Sequence, residues 1–219
     1  IVELYHMESL LLVDKPNIYL YSATKTIIDT IEVEVINGKV VQSYPYAHNG
    51  SRVTWQDVII SPEGMSYENT SIDWLFYEAA MDSSLNVYDS VLEYGWIIER
   101  QDQQYIFEGN QYTFDRFQLK FINELLSIGL YQNEAEDFVE WWFNDDTKLL
   151  QKDGKYALRM IDPTWIDQHF ILTTKFSYEQ LRLFFICHPF KEGLNLQNPP
   201  SYSSTSNLIL HEWGILPYF

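Results

Sequence analysis

With 219 residues, 46% of them hydrophobic and 16% aromatic, the chain can bury a substantial core, which excludes a disordered tail. Its 31 Asp and Glu against 14 Lys and Arg leave a net charge of −17, a field that repels phosphate backbones and anionic lipid and excludes nucleic acid as a partner. A single cysteine, Cys187, excludes an intrachain disulfide or a thiolate metal cluster, and no run approaches the roughly 20 apolar residues of a membrane span.

Ile1 rather than methionine opens the chain, as expected of a chain that is processed, trimmed or incompletely registered at that end. Residues 1–14 are expected to form an N-terminal segment and 15–219 a single β-rich unit. Within that unit, 15–110 is the first β half, 111–145 a helical pair and 146–219 a second β half. Residues 17–22 read as a strand, and 27–36 alternate so that Ile31, Val33 and Val35 point inward. Asn37-Gly38 then predicts a type I′ turn with 39–44 as the hairpin partner, because both residues tolerate positive φ. Short strands follow at 55–61, 72–79, 95–100 and 104–107.

The period changes at Thr113. Phe114, Phe117, Phe121, Ile122, Leu125 and Ile128 share one helical face, and Gly129-Leu130 reads as a left-handed terminator. Asn133 and Glu136 are spaced as a capping box for a second helix carrying Phe138, Trp141 and Trp142. Strands resume at 156–161, 169–174, 181–188 and 208–213, with an Asn-, Pro- and Ser-rich loop over 192–206 that reads as a binding or mobile loop. The fold class is α+β, mainly β: antiparallel β-sandwich-like sheets with an inserted helical pair at 113–143.

Two acids stand out because each ends an apolar row. Ile72, Trp74, Phe76 and Glu78 share one strand face, as do Leu208, Leu210 and Glu212. An isolated buried charge is too costly to keep, so each must be paired, hydrogen-bonded, bound to a cation or protonated. As a pair, Glu78 and Glu212 are the acids of a candidate glycan hydrolase. The structural alternative is an ion pair of Glu78 with Arg100, which ends the similar row Tyr94, Trp96, Ile98. His211-Glu212 starts like a zinc-protease motif, but Ile215 ends the match. No phosphate loop, dinucleotide fingerprint or G-x-S-x-G elbow occurs and the histidines lack ligand spacing, so no cofactor and no metal are expected. Asn144-Asp145-Asp146 offers oxygen ligands without the spacing of a calcium loop. Trp165, Trp213 and Tyr202 are the candidate ring platforms for a ligand, against the plainer reading that such rings are core. Asn49 and Asn69 each open a glycosylation sequon. Cys187 reads as a small buried hydrophobe.

Lys15-Pro16-Asn17-Ile18-Tyr19-Leu20-Tyr21 resembles the K-P-x-I-Y-L-Y-P opening of a family of largely uncharacterised proteins, found among bacterial secreted or lipid-anchored surface proteins and in microbial eukaryotes. Further matches follow in order: Tyr44-Pro45, Pro62-Glu63-Gly64, Trp74-Leu75-Phe76-Tyr77-Glu78, Gly95-Trp96, residues 125–142, and Glu212-Trp213-Gly214. The resemblance covers residues 15–215 and departs from the family pattern at Ser22, Ala79 and Ile215. It implies the architecture and an extracytoplasmic, secreted or cell-surface habit, and no activity. The expected function is therefore a non-catalytic surface or assembly domain binding a protein or glycan partner. The alternatives are the glycan hydrolase and a scaffold subunit of a larger complex.

Overall fold

The computed structural model describes residues 10–82, 85–143, 149–150 and 152–217. Among these residues fifteen strands and three α-helices run in the order β1 (Leu10–Ser22), β2 (Thr26–Val35), β3 (Gly38–Tyr44), β4 (His48–Asn49), β5 (Arg52–Ser61), β6 (Gly64–Tyr67), β7 (Thr70–Ile72), β8 (Leu75–Asp82), β9 (Val91–Gln101), β10 (Gln104–Phe107), β11 (Asn110–Tyr112), α1 (Phe114–Ser127), α2 (Gln132–Trp142), β12 (Gly154–Ile161), α3 (Pro163–His169), β13 (Phe170–Thr174), β14 (Glu179–Pro189) and β15 (Leu208–Pro217). The α+β, mainly β class with antiparallel sheets is borne out. No helix among the described residues is long and apolar enough to cross a membrane. The segments expected at 1–14 and 144–146 lie wholly or partly outside the described residues, and β1 already begins at Leu10.

The chain divides into two compact units, the first within residues 1–90, 162–184 and 206–216 and the second within 91–161 and 185–205. These cut across the segments expected from sequence, because β9–β11 join the helical pair while α3 and β13 return to the first unit. In the first unit, β13-β2-β5-β6-β7 form one sheet and β15-β1-β8-β3 belong to another, with β14 running beside β15. The facing sides carry Ile31, Val33, Trp55 and Ile60 from one sheet and Ile18, Leu75 and Tyr77 from the other, none more than 1% exposed. The inward row of β2 is thus as its alternation predicted.

Asn37-Gly38 does not close a hairpin. β2 pairs with β5 and β13, whereas β3 pairs with β8. Asn37 has the expected positive φ of 54°, but the turn carries the chain from one sheet to the other. Glycine is required at 38 because a Cβ there would lie 2.8 Å from the Ala80 carbonyl.

In the second unit, β11-β10-β9-β12 and residues 185–189 of β14 form the sheet against which α1 packs. Its core is aromatic: Phe117, Phe121, Phe138 and Phe143 are fully buried, and Trp96 meets Phe121 edge-on at 5.0 Å and Phe185 at 5.5 Å. The terminator after α1 is as read: Leu130 N–H donates to Leu125 O and Gly129 N–H to Leu126 O, with Gly129 at φ +114°. The cap of α2 lies two residues earlier than its spacing suggested, at Tyr131, whose N–H donates to the Glu134 carboxylate at 2.7 Å. Helix α3 lies between the strands expected at 156–161 and 169–174. The Asp162 side chain caps it by accepting from Thr164 N–H at 2.8 Å, and Pro163 stands at its first position. Cys187 is buried, and burial pushes its thiol up to about 12.

Candidate functional site

Cross-strand register in the first unit decides what the two acids do. Glu212 on β15 pairs with Ile18 on β1, and Ile18 pairs with Leu75 on β8. Partners directly across a ladder share a face, so Glu212 lies on the inner side with Leu75 and Tyr77. There the Tyr77 hydroxyl donates to Glu212 Oε1 at 2.7 Å and Arg182 Nε donates to Oε2 at 2.5 Å. Arg182 Nη1 donates to Asp167 Oδ1 at 2.7 Å and to the Phe170 carbonyl at 2.9 Å. The side chains of Arg182 and Glu212 are 3% and 0% exposed. Burial works most strongly against the guanidinium charge, but Glu212, Tyr77 and Asp167 together outweigh it and raise the Arg182 pKa. Burial, reinforced by the Glu212 charge, holds the Tyr77 phenol well above its ordinary range, so it remains a donor. Tyr77→Phe is expected to cost about 1.5–3 kcal/mol in urea unfolding, because it strips a charged acceptor of a partner that water cannot replace.

Glu78 falls on the other side. Leu75, Tyr77, Ala79 and Met81 form the buried row of β8, while Trp74, Phe76 and Glu78 are only half-buried. The expected apolar row ending in Glu78 is therefore the outer row, and Glu78 and Glu212 do not share a face. Arg100 meets the Leu150 carbonyl and approaches Asp153 at 3.9 Å. The buried ion pair is built by Arg182, which sequence reading missed. Its signal was present: an arginine inside the apolar run from Leu181 to Ile186 must find a carboxylate.

Around Glu78 the outer face is aromatic. Tyr44 on β3 pairs with Phe76 on β8, their rings 6.3 Å apart and tilted by only 20°, and Gln42 pairs with Glu78 one step along. On the same face Tyr19 lies 6.4 Å from Trp74 and 6.1 Å from Trp213. Exposure rises along this band from Trp213 and Tyr19, each 1%, through half-buried Trp74 and Phe76 to Tyr44 at 48%. The open end thus carries two near-parallel rings on neighbouring strands, next to an amide and a carboxylate.

The platforms chosen from sequence lie elsewhere. Trp165 is buried, turned inward by α3, with the His169 ring stacked on it at 4.1 Å. Trp213 is buried under Tyr19. Neither presents a free ring face. Tyr202 is half-buried, its N–H bonded to Ile128 O and its backbone pressed on Gly129. Asn49 and Asn69 are both exposed, Asn69 in the tight turn between β6 and β7. Comparisons with protein-family models, with curated proteins and with solved structures give no match for this chain.

Proposed function

We propose that the chain is a non-catalytic recognition domain that holds a glycan against the outer face of β3 and β8. The observation that carries this reading is the near-parallel pair of aromatic rings, Tyr44 and Phe76, on an open sheet face, with Gln42 and Glu78 on the same side. A sugar ring has one face of C–H groups that packs on aromatic carbon, and hydroxyls at its edge that suit planar amide and carboxylate groups. In this reading Glu78 serves as a hydrogen-bonding side chain. Glu212 takes no part, because both its oxygens are committed to Tyr77 and Arg182. The net charge of −17 favours neutral or amino sugars over sulfated or uronic ones. An extracytoplasmic setting would bring such ligands within reach.

The test is a glycan array followed by titration calorimetry of the best ligand against Tyr44→Ala. A loss of about five- to tenfold in affinity is expected, the worth of one ring contact. Thermal stability should stay put, since Tyr44 is 48% exposed. Undiminished glycan binding by the variant, or no glycan bound at all, would overturn the reading.

A further inference from the structure

The second unit holds a groove of ≈ 380 Å³ bounded by β9, β10, β12 and the loop after β14. We propose that it binds a zwitterionic α-amino acid with an aliphatic side chain, a site separate from the aromatic face of the first unit. Register builds it. Lys155 on β12, Glu99 on β9 and Ile106 on β10 stand directly opposite one another in a single row, with Ile97 two residues before Glu99 on the same face. The inner residues Trp96, Ile98, Tyr105 and Phe107 are buried in the core, so this row faces the groove. The far wall is the loop. Gly95 N–H donates to Gln197 O and Gln197 N–H to Glu93 O, both at 2.9 Å, which clamps the loop beside β9 and sets Leu196 and Asn198 over the same space.

Lys155 and Glu99 are ladder partners of opposite charge, yet they form no ion pair with each other. The Lys155 ammonium lies 4.3 Å over the Phe190 ring instead. Glu108 at the rim is already met by Lys120 at 3.1 Å. Two complementary charges thus stand side by side next to an apolar floor of Ile97, Ile106 and Leu196, each short of a counter-charge. An α-amino acid carries a carboxylate for Lys155 and an ammonium for Glu99 on one carbon, which suits side chains whose Cβ atoms are about 4.5–5.5 Å apart. Its aliphatic side chain covers the apolar floor, and the Asn198 amide supplies a further hydrogen bond. Longer peptides put their terminal charges too far apart for a single ladder step.

The experiment is calorimetry, with amide NMR shifts at Gly95 and Gly109, using L-leucine, leucinamide, 4-methylpentanoate and the dipeptide Leu-Leu as probes. Leucine is expected to bind and to shift both glycines. Leucinamide, which lacks the carboxylate, and 4-methylpentanoate, which lacks the amine, should each bind about tenfold more weakly or worse. Glu99→Gln and Lys155→Met should each weaken leucine by a similar factor, with unchanged circular dichroism and melting. Failure of leucine to bind overturns the proposal. So does equal binding of leucinamide or Leu-Leu, or leucine binding indifferent to both substitutions.

Discussion

Glu212→Gln is expected to destabilise the protein by about 3–5 kcal/mol, seen as a lower urea midpoint at an unchanged slope. The loss comes from what is left behind more than from the contact itself. The Arg182 side chain is 3% exposed, so its charge cannot be rehydrated when its carboxylate goes, and Asp167, half-exposed, is a weaker substitute. The informative contrast is Glu78→Gln, expected to change stability by no more than about 0.5 kcal/mol because that side chain lies on the half-solvated outer face. A third variant separates charge from packing. Replacing Glu212 and Arg182 together by leucines should recover much of the loss, since an apolar pair of similar volume needs no solvation. A protein that tolerates Glu212→Gln and unfolds on Glu78→Gln would reverse the roles assigned to the two acids.

Gly95→Ala is the second large effect, and it falls on the second unit. Gly95 has φ +146°, and a Cβ there would sit 2.0 Å from the Leu158 carbonyl oxygen and 2.9 Å from Arg159 Cα. Those neighbours are backbone atoms of β12 and belong to the ladder that pairs Gly95 with Arg159. Neither can swing aside as a side chain would. The combined cost of the forced dihedral and the overlap is about 2–5 kcal/mol. Thermal melting would show the loss, and hydrogen exchange should place it in β9 and β12. Gly50→Ala is the control: φ is +61° there and nothing lies within 4 Å, so only the dihedral cost of about 1–2 kcal/mol applies. Equal losses at both positions would mean that the close approach to β12 contributes nothing.

Features written in neighbouring residues were legible before any coordinates. The α1 face and its Gly129-Leu130 terminator depend on contacts within one turn, and the inward row of β2 depends on alternation within one strand. Partnership was less accessible. Asn37-Gly38 satisfies every local requirement of a hairpin turn, yet the strands on either side enter different sheets, because β8 offers β3 a ladder and β5 offers one to β2. The site suffered from the same ambiguity. Residues 74–77 run Trp-Leu-Phe-Tyr, apolar or aromatic on both parities, so alternation marks two rows without saying which is buried. Choosing the wrong row brought Glu78 inside and left Tyr77 unremarked.

Composition and local pattern alone established a folded, acidic, mainly β chain with one amphipathic helical pair and an acid, Glu212, that had to be neutralised. Which arginine neutralises it, which side of β8 meets solvent, and which charges stand side by side in a groove without pairing were settled by ladders between distant strands, as for Ile18 and Glu212, and by contacts such as the Tyr77–Glu212 hydrogen bond across 135 residues. Secondary structure is chosen by interactions a few residues long, whereas ladder partners are chosen by the total burial of the finished sheets, a quantity no single segment encodes.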